Sequence, residues 1–193
     1  MSLREPGGVA YLLQRLVARS WLVLGQSGRA LAVFDTMLQR WPDDAYGLAS
    51  RAHLHAQAGR HEQAIADGQA LVARHPRASA ANWFNLAFLL EAAGRLAEAE
   101  TAFREALALD PKLDRAWYGL GVTLIRLGRQ DDAVAALKRN TELQPMSPFG
   151  WYQLARVHMD RHEPQETRKI IRHLKAFEPK VAAQLERETG LAA

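Results

Sequence analysis

Aromatic and arginine side chains recur at helical spacing through the middle and later parts of this sequence. The stripes contain Phe84, Asn85 and Phe88, then Arg115, Tyr118, Val122 and Arg126, and then Phe149, Tyr152 and Arg156. Apart from the adjacent Phe84 and Asn85, neighbouring members lie about three or four residues apart, so each set shares one side of a helix. Rings bury a large area at low entropic cost and guanidinium groups pair with carboxylates, which is the chemistry of binding hot spots.

The same rings have a second interpretation, in which they pack between neighbouring helices. Apolar residues at helical spacing are more often core residues, so each ring taken singly could equally be buried. We expect that not all five rings are core residues. Both alternatives stay open at this level.

One histidine cluster has metal-ligand spacing, because His158 and His162 lie one helical turn apart near Asp160 and Glu163. However, His162 falls at a predicted turn and no third ligand is aligned with the pair. A solvated surface is therefore the preferred interpretation. We predict no metal site and no cofactor.

Catalysis finds no support in the motifs of this sequence. It contains no cysteine, no glycine-rich phosphate loop, no H-E-x-x-H and no G-x-S-x-G. We therefore predict that the protein is not an enzyme. An absence of cysteine is also compatible with a cytoplasmic location, which we expect.

Composition favours a folded, water-exposed domain. The chain has 193 residues, of which 48% are hydrophobic and 24% are charged. Its apolar stretch at residues 9–24 is interrupted by Gln14, Arg15 and Arg19, which are costly inside a bilayer. The net charge of +4 arises in residues 112–193, a bias that favours an acidic partner but is too small to indicate nucleic acid.

Internal repeats organise the whole chain. Five prolines are separated by 34 or 35 residues, at Pro42, Pro76, Pro111, Pro145 and Pro179. Three tryptophans keep a step of 34 residues, at Trp83, Trp117 and Trp151, and each lies 28 residues before a proline of the series. Glycines fall about midway at Gly25, Gly59, Gly94 and Gly128, with His162 in the equivalent place, and predict a chain reversal between two helices.

These residues resemble the tetratricopeptide repeat, whose pattern is W-x2-L-G-x2-Y, then A-x3-F, then P. The best-matching unit has Trp117, Leu120, Gly121 and Leu124, followed by Ala133, Leu137 and Pro145. The unit ending at Pro76 departs most, because Arg51 and His55 occupy core positions and Gly68 lacks a side chain. Small residues recur at one place, Ala18, Ala52, Ala87, Gly121 and Ala155, where paired helices would approach closely.

The resemblance implies an all-α, right-handed superhelical solenoid that forms one domain over residues 1–193. We expect five antiparallel helix pairs at 11–44, 45–79, 80–113, 114–147 and 148–181. The last pair needs a cover, because each hairpin buries its apolar face only against a neighbour. A terminal helix at 180–190, with Val181 and Leu185 on its inner face, is predicted to supply it.

In proteins of this family the first helices line a concave groove that holds a peptide or a helix. The resemblance places the ten stripe residues in that groove and implies an adaptor, scaffold or assembly factor for a partner protein. Asn85 and Arg115 could contribute to a carboxylate clamp, but Ala49, His53 and Gly119 occupy the other positions, so we predict no standard clamp. Alternatives are a self-associating scaffold, such as a homodimer, and, with less support, an RNA-binding helical-repeat protein.

Overall fold

The computed structural model describes residues 8–192, which form eleven α-helices and, within that range, no strand. The chain divides into two compact units, unit 1 (Met1–Ala93) and unit 2 (Gly94–Ala193). Unit 1 contains α1 (Val9–Val23), α2 (Ser27–Arg40), α3 (Ala45–Gln57), α4 (His61–Arg74) and α5 (Ala80–Ala92). Unit 2 contains α6 (Leu96–Leu109), α7 (Asp114–Arg126), α8 (Gln130–Leu143), α9 (Pro148–Asp160), α10 (Pro164–Lys175) and α11 (Pro179–Thr189).

The chain reverses where the sequence predicted it. Gly25, Gly59, Gly94 and Gly128 all have positive φ, between 68° and 77°. His162 takes the same left-handed conformation with φ of 60°, which a residue with a side chain rarely adopts. The prediction that this histidine replaces the turn glycine is therefore confirmed.

Small residues allow paired helices to approach closely, as predicted. Ala18, Ala87 and Ala155 are completely buried. A methyl group added at Gly121 of α7 would lie 2.7 Å from Cγ of Leu137 on α8. The packing of α7 on α8 therefore requires the absence of a side chain at this position.

Charged residues replace part of the apolar core in unit 1. Arg51 on α3 donates to Asp67 on α4 through Nε at 2.8 Å and Nη2 at 2.6 Å, and to Asp35 on α2 at 2.9 Å. The Asp67 side chain is almost buried. The polar core positions of this repeat thus form an ion-paired link between three helices.

Each repeat tryptophan is bonded to the proline turn that precedes it. The indole N–H groups of Trp83, Trp117 and Trp151 donate to the backbone carbonyls of Pro76, Pro111 and Pro145 at 2.8, 2.9 and 2.9 Å. The two markers that set the repeat register in the sequence are therefore in direct contact. This hydrogen bond holds the start of a first helix against the turn before it.

The terminal helix α11 covers the core of unit 2. Ala182 and Leu185 are completely buried there, in one cluster with Leu154, Ile171 and Leu174. Gly190 follows α11 in the left-handed conformation, with φ of 69°. Across residues 8–192, no helix combines the length and apolarity needed to cross a membrane.

Candidate functional site

In unit 1, the predicted binding residues lie on α5. Ser79 caps the start of this helix, because its hydroxyl accepts from the backbone N–H of Ala81, and the buried side of the helix carries Leu86 and Leu90. Asn85 is exposed, Phe84 is half-buried, and the ring of Phe88 is 58% exposed. The packing of α5 therefore leaves the ring of Phe88 available to a partner.

In unit 2, α7 and α9 carry the remaining candidates. Arg115 and Arg126 are exposed at the two ends of α7, while Tyr118 and Val122 between them are half-buried. On α9, Phe149 is 68% exposed, Tyr152 is half-buried and Arg156 is exposed. Tyr118 and Tyr152 pack against the apolar cluster of unit 2, as the core interpretation predicts. Phe149 is exposed, as the binding interpretation predicts.

Three predicted aromatic residues of unit 2 meet around one cavity. This aromatic cavity has a volume of about 320 Å³ and is lined by Tyr118, Pro148, Phe149, Tyr152, Gln153, Val181 and Gln184. The side formed by Val181 and Gln184 belongs to α11. Sequence reasoning treated α11 as a cover only, and its contribution to this surface was missed.

A second cavity lies beside the first and is more polar. It has a volume of about 470 Å³ and is lined by Tyr152, Arg156, Met159, Asp160, Glu188 and Thr189. Tyr152 donates from its hydroxyl to Oε2 of Glu188 at 2.7 Å, and Gln184 donates to Oε1 at 2.8 Å. Gln184 and Glu188 are both exposed, so this contact lies at the surface of α11 and not in its packed face.

Electrostatics in the polar cavity are mixed rather than basic. Hydrogen bonds from Gln184 and then Tyr152 lower the pKa of Glu188, so its carboxylate stays ionised. The same bond to Glu188, followed by desolvation, raises the pKa of Tyr152, so its phenol remains a donor. The Arg156 guanidinium lies 5.9 Å from the centre of the Tyr152 ring. A ligand here meets both an arginine and a fixed carboxylate.

The histidine cluster considered for metal binding is a structural contact. His158 is buried, not solvated as expected, and its Nδ1 lies 2.6 Å from Oε2 of Glu163. Arg161 also donates to Glu163, through Nε at 3.0 Å. Within residues 8–192, no three His, Asp or Glu side chains are grouped so that they could hold a metal ion.

Comparison with known families finds the tetratricopeptide repeat. One tetratricopeptide repeat profile matches residues 18–81 and 50–114, and a second matches residues 90–148. A search of curated protein sequences finds no significant match.

Solved structures of the same architecture cover almost the whole chain. A MamA protein is 18% identical with a TM-score of 0.82, over 94% of this chain and 96% of its own. YrrB, described as a TPR protein with an unusual peptide-binding site, is 15% identical with a TM-score of 0.79, over 88% of each chain. TTC0263, a thermophilic TPR protein of Thermus thermophilus, is 21% identical with a TM-score of 0.59, over 93% of this chain and 99% of its own. At these identities the likeness concerns the fold.

The matched profiles extend over more than half of the chain, and the solved structures share its paired helices. This protein therefore belongs to the tetratricopeptide repeat family.

Proposed function

We propose that this protein is an adaptor that captures a segment of a partner protein on the surface of unit 2 formed by α7, α9 and α11. The observation that carries the proposal is the ring of Phe149, which is 68% exposed beside the half-buried rings of Tyr118 and Tyr152 at the aromatic cavity. An exposed aromatic ring next to a concave apolar wall can bury itself against a ligand, as binding hot spots do.

The residues that line the two cavities indicate which partner segment could bind there. The aromatic cavity accepts an apolar side chain, and the polar cavity beside it offers the guanidinium of Arg156 and the carboxylate of Glu188. Arg115 and Arg126 add exposed positive charge on α7. A peptide or helix matches these groups when an apolar anchor is flanked by acidic residues that meet the arginines and by a hydrogen-bond donor that meets Glu188.

Unit 1 offers a contact surface of its own on α5. It carries an exposed phenylalanine, Phe88, as α9 does with Phe149, and also the exposed amide of Asn85. The peptide-binding site described for YrrB supports a role of this kind for a tetratricopeptide repeat protein, although that site belongs to YrrB. We propose that α5 provides further partner contacts.

A selection from a random peptide display library tests the proposal, using the full chain as bait. Selected peptides should share an apolar residue with acidic neighbours. Phe149→Ala should weaken their binding by roughly 30-fold or more, the size of a hot-spot loss of about 2 kcal/mol. Phe88→Ala tests the α5 surface in the same assay.

Met146→Ala is the matched control, because Met146 is an equally exposed apolar residue that does not line the aromatic cavity. It should retain binding within about two-fold, and circular dichroism should show unchanged helix content in all variants. Peptides whose affinity is the same for wild type and Phe149→Ala would place the binding surface elsewhere.

RNA binding is less well supported by the side chains of α10. Two basic residues of this helix are already paired, Lys169 with Glu166 at 2.6 Å and Lys175 with Glu186 at 2.8 Å. Retention of single-stranded RNA at physiological salt would favour that alternative.

A further inference from the structure

Helix α1 directs its large apolar side chains outward. Its buried residues are Tyr11 and Ala18, whereas eight leucines and valines in and directly after the helix are 37% to 87% exposed. Seven of these eight share one side of the helix, with Ser20 as the polar member of that side. We call them the α1 face: Val9, Leu12, Leu13, Leu16, Val17, Val23 and Leu24.

The α1 face is larger than the apolar patches of ordinary monomers. From their exposed fractions, its seven side chains present on the order of 800 Å² to solvent, whereas the largest patch on a monomer is roughly 300–600 Å². About 800 Å² per partner is also what a stable protein interface buries. The face therefore has the size of an interface between two molecules.

Another hairpin could not pack on the α1 face in the way that preceding helices pack on α3, α7 and α9. Positions in different repeats can be compared by their distance from the turn residue that ends the first helix. By this count Leu13 corresponds to Gly47 of α3 and to Gly150 of α9, and Leu16 corresponds to Gly119 of α7. A methyl group at Gly47 would lie 3.1 Å from Leu38, and one at Gly119 would lie 2.5 Å from a ring carbon of Phe103. Preceding helices thus pack against a glycine in α3, α7 and α9, whereas α1 has leucines at the same places. The other repeats carry side chains at these places, among them Asn82 and Asn85.

Charge on α1 argues against a lipid surface as the occupant. Interfacial helices are rich in Lys and Arg beside their apolar face. Here the guanidinium of Arg15 lies 4.2 Å from the centre of the Tyr46 ring, and Arg19 borders the face on one side. The sequence contains no lysine before Lys112. An apolar face free of charge is instead complementary to itself.

We propose that the α1 face pairs with the α1 face of a second copy of this chain, around a two-fold axis. In such a pair each residue of the face meets the same surface on its partner, which closes the assembly at two molecules. Leu16 lies at the centre of the helix Val9–Val23, so antiparallel pairing brings the two Leu16 positions together. This inference is independent of peptide capture by unit 2.

Light scattering on the full chain over a range of concentrations tests the pairing. Wild type should be a dimer, and Leu13→Glu with Leu16→Glu should raise the dissociation constant at least about 100-fold by placing charges in the apolar contact. The matched control is Leu109→Glu with Met146→Glu, two exposed apolar residues of unit 2. It should dimerise as wild type does.

Disulfide trapping gives a second readout, because the chain contains no cysteine. Leu16→Cys should form a covalent dimer under mild oxidation, whereas Met146→Cys should not, since two cysteines link only when their Cα atoms lie within about 7 Å. A wild type that stays monomeric at all concentrations would overturn the proposal. Binding of a monomer to phosphatidylcholine and phosphatidylglycerol vesicles, lost in the double glutamate variant, would assign the face to lipid instead.

Discussion

The hydroxyl of Tyr11 on α1 donates a 2.8 Å hydrogen bond to Oδ1 of Asp44, thirty-three residues away. The other oxygen of Asp44 accepts from the backbone N–H of Gly47 at 2.8 Å and caps the start of α3. Both side chains are buried. One carboxylate therefore links the first helix of the chain to the beginning of the next hairpin.

Tyr11→Phe should destabilise unit 1 by about 1–2 kcal/mol, because it leaves a buried carboxylate oxygen without its donor. Urea unfolding followed by circular dichroism measures the change. Tyr152→Phe is the control, since its hydroxyl bonds to the exposed Glu188 and should shift the midpoint less. Equal shifts for the two variants would contradict a special role for the buried bond.

Arg51→Met should be more costly than a surface charge deletion. Removing the guanidinium leaves Asp67 buried without its two hydrogen bonds, and breaking such a pair costs about 3 kcal/mol. The double variant Arg51→Met with Asp67→Leu should recover much of the lost stability, because no uncompensated buried charge then remains. Glu98→Gln, which breaks an exposed pair with Arg95, should leave the urea midpoint nearly unchanged. A double variant no more stable than Arg51→Met would contradict this account.

Stability should decrease as the pH falls through the range of His55. Desolvation lowers the pKa of this imidazole below its ordinary value of 6.5, an effect that Asp67 only partly opposes. The unfolded chain therefore takes up a proton at His55 more readily than the folded chain does. The contribution of neutral His55 to the free energy of unfolding is thus complete above about pH 6.5 and is lost as the pH falls below it. His55→Gln should reduce the difference in melting temperature between pH 7 and pH 5, and the exposed His61→Gln should not. Identical pH profiles for wild type and His55→Gln would contradict the prediction.

Gly119→Ala should destabilise unit 2 although alanine favours helix formation by about 1 kcal/mol over glycine. The new methyl group would lie 2.5 Å from Cε1 of Phe103, and relieving such an overlap costs about 1–3 kcal/mol. Gly28→Ala on α2 is the matched control, because a methyl group there meets no atom within 4 Å and should stabilise the helix. Adding Phe103→Leu to Gly119→Ala should restore part of the loss, and a failure to do so would argue against this steric cause.

Local sequence patterns predicted the helices and turns because both depend on residues close together in the chain. The left-handed turn at His162 followed from its place in the 34-residue register. Arg51 looked misplaced in the core because its partners Asp67 and Asp35 lie sixteen residues away on either side. The contact of Tyr152 with Glu188 spans thirty-six residues. Such pairings depend on how helices pack, which spacing within one helix does not encode.

The orientation of α1 shows the same limit. The sequence predicted a helix pair at 11–44 with Ala18 at its close approach, but not that the structure would direct the leucine-rich side of α1 outward. The sequence also placed ten residues on a binding surface. The structure arranges Tyr118, Phe149 and Tyr152 around one cavity but adds Val181 and Gln184 from a helix that the spacing had assigned to capping.

The indole bonds of Trp83, Trp117 and Trp151 to three successive proline turns make these side chains intrinsic fluorescent reporters. Each emission spectrum senses whether one particular junction along the array is closed or hydrated. Keeping one of these tryptophans at a time, with Trp21 and Trp41 also replaced by phenylalanine, would let denaturation be followed position by position. The protein thus carries, within its own repeat, the means to reveal whether its hairpins melt together or in sequence.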